Sequence, residues 1–328
     1  MQRREFIAAL GGAAAGWPLR AMAQQATLPI IGFVSSRSPR DAARYGAVFR
    51  TGLRESGIID GQSVIVEYHW LEGQYDQVPS LVADLVRKRV TVIASAGSTP
   101  VALAAKAATP TIPIVFGVVQ NPVDIGLVAS LARPGSNATG INFFNAETVA
   151  KRLELLHQVV PKAVRVAVLV NPANAANAEF ALRATTDAAR ALGLEIRVVR
   201  ASSAREIEAA FASLAQERTE ALLITPDGFL SSRRVQFAIL AARHGIPTAG
   251  IDREAVEAGA LISYGTDPVE MYHDVGVYAG RILKGAKPAD LPVVQSTKFE
   301  FIINLTTATA LGLEISPTLL ALTDELIE

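Results

Sequence analysis

The sequence predicts an α/β protein of two doubly wound lobes in series, and three observations carry that prediction. Short apolar runs alternate with helical periodicity from Leu28 onward, the alternation that builds a parallel sheet covered on both faces. The order of elements recurs at an offset of about 135 residues, as an internal repeat requires. A chain of 328 residues is also too long for one comfortable core and suits two of ~100–200 residues each.

In the first half, Pro29–Val34 is an apolar run of strand length. Tyr45, Phe49 and Leu53 then fall on one helical face, and Val64, Val66, Tyr68 and Trp70 alternate as strand residues do, which completes a β-α-β unit. Val78, Leu81, Val82, Leu85 and Val86 trace the apolar stripe of a second helix. Val90–Ala94 is a continuous buried strand, Pro100–Ala108 an alanine-rich helix opened by proline, and Ile112–Val118 a further strand.

The second half repeats the series: strand Val164–Val170, helix Ala178–Leu192, strand Glu195–Val199, helix Ala204–Glu217, strand Ala221–Thr225, helix Phe229–His244 and strand Ile246–Gly250. Gly57-Ile58 and Gly193-Leu194 each end a helix, and Ile112-Pro113 and Ile246-Pro247 each open a strand at corresponding places. A helix over Pro268–Leu283, a proline-spaced linker over Lys287–Pro292, a strand over Lys298–Ile303 and a helix over Thr306–Leu311 complete the chain.

Composition narrows the function. Half of the residues are apolar and 19% are charged, the make-up of a packed globule. Thirty-one basic residues balance thirty-one acidic ones, so no excess positive field exists to condense on nucleic acid or anionic lipid. The absence of cysteine excludes disulfides, thiolate metal sites and a thiol nucleophile. His69, His157, His244 and His273 are scattered without metal-ligand spacing, so no metal and no cofactor is expected.

Gly280–Lys287 (GRILKGAK) has the spacing of a phosphate-binding loop, but Ala286 stands where that loop needs lysine. With no GxGxxG after a strand and no GxSxG elbow, no catalytic residues are assigned.

Arg3-Arg4 precede an uncharged stretch over Phe6–Leu19, and Ala21-Met22-Ala23 offers small residues to a signal peptidase. Residues 1–23 read as a twin-arginine-like export signal cleaved after Ala23, although Gln2 and Ala8 depart from that pattern and leave the Sec route open. The stretch is too short and too broken, by Pro18, for a stable membrane anchor of ~20 apolar residues. Its removal takes away Arg3, Arg4, Arg20 and Glu5 and leaves a net charge of −2 on a monomer destined for the periplasm.

Ligands of doubly wound sheets bind outside the carboxyl ends of the strands, where loops and helix N-termini converge. Ser95-Ala96-Gly97-Ser98-Thr99 leads into the helix opened by Pro100 and gathers hydroxyls and free N–H groups at a positive dipole end, a socket for a carboxylate. Ser98 or Thr99 also suits a plain N-cap. Ser35 and Ser36 occupy the equivalent place after the first strand, as ligand donors or as caps of the next helix.

On the second lobe, Asn171 and Asn174 follow the strand ending at Val170, and Asp227-Gly228-Phe229 follows the strand ending at Thr225. Asp227 can pair an ammonium or form a turn before Gly228, with Phe229 as an aromatic wall. Asp252 suits an ammonium or an N-cap for Arg253–Ala258. Tyr264, in a Ser-Tyr-Gly turn, suits the ligand or hinge packing, and Val118 the cleft floor or the core.

At Leu131–Gly140 (LARPGSNATG), Gly259–Gly265 (GALISYG) and Ile282–Gly312 (ILKGAKPADLPVVQSTKFEFIINLTTATALG) the chain resembles the ABC-transporter solute-binding family that includes the tryptophan/tyrosine-type proteins. Thr109–Phe116, Arg152–Pro161 and Glu195–Val199 fall in register with it. The resemblance implies a type I periplasmic binding protein: two Rossmann-like lobes joined by a multi-strand hinge, a Venus-flytrap that delivers ligand to permease subunits. By that fold, residues 28–142 plus 265–289 form lobe 1, and 143–264 plus 290–328 form lobe 2.

The expected function is capture of a small carboxylate-bearing solute, an aromatic or branched amino acid among the candidates, for an ABC importer. An exported α/β enzyme using Asp227 with Asp252 as an acid/base pair is the alternative. So is the ligand-binding module of a sensory receptor.

Overall fold

The computed structural model describes residues 28–143 and 146–328. The predicted export signal lies outside them. Lobe 1 begins with β1 (Ile30–Ser35), α1 (Ala42–Glu55), β2 (Ile65–Trp70), α2 (Val78–Arg87), β3 (Val92–Ala96), α3 (Thr99–Ala108), β4 (Ile114–Val118) and β5 (Ala138–Asn142). These strands lie parallel in the order β2-β1-β3-β4-β5.

After α4 (Ala146–Val159), lobe 2 contains β6 (Arg165–Val170), α5 (Ala175–Leu192), β7 (Glu195–Arg200), α6 (Ala204–Gln216), β8 (Ala221–Ile224), α7 (Gly228–Ser232), α8 (Arg234–His244), β9 (Thr248–Gly250), α9 (Arg253–Glu257) and β10 (Ile262–Gly265). Its parallel order is β7-β6-β8-β9-β10, the winding of the first lobe repeated strand for strand. The corresponding glycines also behave alike. Gly57 and Gly193 both take φ +69 just past a helix, a left-handed conformation that costs glycine little, and both are followed by a back-bonded N–H, Ile58 to Leu53 and Leu194 to Ala189.

The chain then crosses twice more. α10 (Pro268–Leu283) returns to lobe 1 and packs on α1. β11 (Val294–Gln295) pairs with β5, and β12 (Glu300–Asn304), α11 (Leu305–Ala310), α12 (Pro317–Leu322) and β13 (Glu325–Ile327) finish lobe 2, with β12 antiparallel to β10. Tyr45, Phe49 and Leu53, the predicted face of α1, are fully buried against Phe33, Tyr272 and Val275. Burial of such side chains stabilises by about 1.5–3 kcal/mol each. Glycine lets α1 and α10 approach closely: a Cβ on Gly276 would lie 2.2 Å from the Phe49 carbonyl oxygen.

The structure departs from the sequence reading in four places. The helix expected over 229–244 is two helices that meet at Arg233. The Ser-Tyr-Gly segment is strand β10, not a turn, because it pairs on both sides, with β9 and β12. β5, α4, β11, α12 and β13 had no pattern assigned to them. Residues 290–295, expected in lobe 2, stay on lobe 1: Thr139 donates to the Leu291 carbonyl at 2.6 Å, and β11 extends the first sheet.

Candidate ligand-binding cleft

Each sheet reverses its winding between its first and third strands, so the loops after β1 and β3, and after β6 and β8, diverge and leave a crevice at the carboxyl edge. The two crevices face each other, and the lobes touch across them. The Tyr75 hydroxyl donates to Asp227 Oδ2 at 2.8 Å, and Asn174 Nδ2 lies 3.5 Å from the same hydroxyl. Backbone meets side chain just as closely: a Cβ on Gly228 would lie 2.4 Å from Ser36 Cβ, and one on Gly73 would lie 2.4 Å from Phe229 Cβ. The structure is therefore that of shut lobes.

An ion cluster closes one side of the gap. Arg37, in the loop after β1, donates to Asp252 at 3.0 Å and Glu254 at 3.4 Å on lobe 2, with its guanidinium 4.5 Å from the centre of the Tyr45 ring. Glu254 also accepts from Arg44 at 2.6 Å and Tyr45 at 2.7 Å and lies 3.4 Å from Arg234, which reaches Asp41 at 3.2 Å. Burial opposes the charge of Arg37, but Tyr45, Asp252 and Glu254 outweigh it and hold its pKa well above the ordinary value. Burial pushes the Tyr75 hydroxyl up, and Asp227 adds to that, so it stays protonated and donates.

Between the lobes lies a cavity of about 60 Å³. Gly97 and Thr99 line it from lobe 1, and Asn174, Asn177, Asp227 and Asp252 from lobe 2. Val119, Phe143, Ile251, Met271 and Tyr272 supply apolar walls. Beside it, the first turn of α3 has N–H groups with no partner four residues back. Ser98, the residue preceding that helix, does not cap it, and its buried Oγ has no partner. On the opposite wall Asn174 Oδ1 and Asn177 Oδ1 are likewise buried without a partner. Asn177 Nδ2 is held by the Pro226 carbonyl, which fixes which amide atom remains free.

Of the residues singled out from sequence, Gly97, Thr99, Asn174, Asp227 and Asp252 line this cavity, with Ser98 between two of them. The others sit one layer back. Ser35 bonds the Tyr272 hydroxyl at 2.7 Å, and Ser95 donates to the Ser98 carbonyl at 2.7 Å. Ser36 packs on Gly228, Ala96 is core at the end of β3, and Val118 is buried in the core of lobe 1. Asn171 donates to Asp227 Oδ1 at 3.0 Å, and Phe229 packs on Gly73. Tyr264 stacks on Phe299, while its carbonyl accepts from Arg152 at 2.7 Å.

Two acidic residues are already committed. Asp227 Oδ1 accepts from Asn171 and from the Phe229 and Leu230 N–H groups, and Oδ2 accepts from Tyr75 and Asn174. It caps α7 rather than standing free for an ammonium or for proton transfer. Asp252 caps α9 through Ala255 N–H and pairs with Arg37. Nearby, Arg152 is fully buried and donates to the Tyr264 and Ile251 carbonyls, and burial lowers its pKa to about 10, so it remains charged at neutral pH.

Sequence reasoning missed Arg37, Tyr75, Asn177 and Met271. The signal for Asn177 was its place one helical turn after Asn174, hidden because the helix was expected to begin at Ala178 when it begins at Ala175. Among the described residues no group of three or more His, Asp or Glu side chains could hold a metal ion.

Residues 28–327 match the family described as ABC transporter substrate binding protein. Over 274 residues, 84% of this chain and 77% of the other, the sequence is 29% identical to a tyrosine-binding protein of Clostridioides difficile. The structure is similar to an ABC domain in complex with L-Trp from Streptococcus pneumonia, at 23% identity and a TM-score of 0.80 over 92% of this chain and all (100%) of that one. It is also similar to a ligand-free, open substrate binding protein with adhesive properties from Clostridium difficile, at 26% identity and a TM-score of 0.61 over 88% and 97%.

Proposed function

Because the chain belongs to the ABC transporter substrate-binding protein family, we propose that it captures a free α-amino acid between its lobes and presents it to the permease subunits of an importer. One observation carries the reading: the buried Ser98 Oγ beside the cavity and the Asn174 and Asn177 Oδ1 atoms on its opposite wall have no partner. The α-carboxylate docks on Ser98 Oγ and the free first-turn N–H groups of α3, that of Thr99 among them, while the Thr99 hydroxyl donates to Gln120 Oε1 at 2.6 Å; the ammonium meets Asn174 Oδ1 and Asn177 Oδ1, with Asp252 nearby. The tyrosine and tryptophan named for two similar proteins are amino acids of this kind.

Magnitudes require the lobes to act together. A helix dipole gives an anion about 0.3–1 kcal/mol, up to ~2 when partly buried, whereas micromolar binding needs about 8 kcal/mol. The remainder comes from ammonium contacts, apolar packing and lobe closure. Substrate-binding proteins of ABC importers are extracellular or periplasmic; the reading here is a periplasmic monomer released by cleavage after Ala23. It binds without turnover, since neither Asp227 nor Asp252 is free to act as a base.

Titration calorimetry on ligand-stripped protein tests this. L-Phenylalanine should bind at least a hundredfold more tightly than 3-phenylpropanoate, which lacks the ammonium, or phenethylamine, which lacks the carboxylate. Equal binding of the plain acid removes the acceptor wall from the site. Mass spectrometry of small molecules that copurify should return an intact amino acid.

A further inference from the structure

Met271 lines the cavity between the end of β4 and Gly97, beside the Tyr272 hydroxyl. Its Sδ rests on the end of β4, where a Cβ on Gly117 would lie 2.4 Å away, and its Cε reaches toward Gly97, 3.5 Å from where a Cβ there would stand. It therefore forms the part of the cavity wall that spans from the end of β4 to Gly97. Met271 is 1% exposed and belongs to α10, which glycine contacts hold tightly against α1.

We infer that Met271 sets the size of ligand side chain that the cleft admits, an inference that rests on the amino-acid reading above. The shut cavity measures about 60 Å³. An apolar cavity of roughly 150 Å³ is what accepts a benzene ring, and one water needs roughly 10–15 Å³. An aromatic side chain together with its amino-acid head group needs more room than the shut lobes leave, and with the lobes shut to this extent that room comes from a wall that withdraws.

The other apolar walls are stiff. Val119 and Ile251 are β-branched, and Pro226 and Pro268 are rings. Tyr272 is pinned through its hydroxyl to Ser35 at 2.7 Å and stacked on Tyr45 with ring centres 4.4 Å apart. Phe143 packs against the cores of both lobes, and its backbone is tied through its N–H to the Val118 carbonyl and through its carbonyl to Thr266. Met271 alone among the apolar lining residues combines three rotatable bonds with an unbranched chain, and its thioether makes favourable contact with an aromatic edge once it has moved aside.

The test measures binding of L-alanine, L-valine, L-phenylalanine, L-tyrosine and L-tryptophan to the wild type, Met271→Ala and Met271→Leu by calorimetry, with melting curves to confirm folding. The readout is the ratio of tryptophan to valine affinity, which changes in closure energy common to both ligands leave unaltered. Met271→Ala should raise that ratio at least tenfold. Met271→Leu, similar in volume but branched and shorter of one rotatable bond, should lower it severalfold. A ratio within twofold of wild type in Met271→Ala overturns the inference. Should the wild type bind none of the five, the amino-acid reading fails first and takes the inference with it, an outcome distinct from an unchanged ratio.

Discussion

The carboxylate of Asp227 accepts two N–H groups of its own helix, two amides of its own lobe and a phenol of the other. Charge-assisted bonds of this kind are roughly twice as strong as neutral ones, and an amide in the same place cannot accept them all. Asp227→Asn should therefore weaken an amino acid and its matched plain carboxylate by a similar factor, about ten to a hundred, by loosening α7 and the Tyr75 contact. A loss confined to the amino acid, read by calorimetry on both ligands, would restore Asp227 as the ammonium's partner. The residue scale also marks the limit of legibility. That Thr99, Asn174 and Asp252 lie at the cavity was legible because they follow strand ends, a property of sequence order. Met271 and Arg37 were not, because what places them at the cavity is the return of α10 and the meeting of two lobes, neither of which has a local pattern.

Closure has a steric requirement at the level of elements. The start of α7 meets the loop after β1 with no room for a side chain at Gly228, and that residue's φ lies outside the left-handed region. Gly228→Ala thus suits the isolated lobe and obstructs only the shut state. The expected result is an unchanged melting temperature without ligand, a drop in affinity of tenfold or more, and little ligand-induced rise in melting temperature. Undiminished affinity would mean that the loop yields freely. Elements with a strong period were legible: the α1 and α2 stripes and the apolar strands lie where their spacing put them. β5, with the sequence ATGIN, was not, since it is buried by its neighbours without an apolar run of its own. The break between α7 and α8 was hidden because Phe229, Leu230, Phe237 and Leu240 continue an apolar face straight across it.

At the scale of the whole molecule, two copies of one winding place equivalent strand ends opposite each other, and an ion cluster bridges them. Arg37, Arg44 and Arg234 face Asp41, Asp252 and Glu254, three charges of each sign, with Glu254 touching all three arginines. Removing one partner of a buried pair costs about 3–5 kcal/mol, because the other charge is left without compensation. Glu254→Gln leaves one excess positive charge in the shut state, whereas in the open state water solvates it. The shut population should fall, and with it the apparent affinity, which scales with the fraction of molecules competent to hold ligand. Small-angle scattering should show a larger radius of gyration for the free variant than for the free wild type, and saturating ligand should bring the two together. Affinity should drop tenfold or more although Glu254 does not line the cavity. Identical scattering of the two free proteins, with equal affinity, would show that steric fit and the Tyr75–Asp227 bond hold the lobes shut without help from the ion cluster.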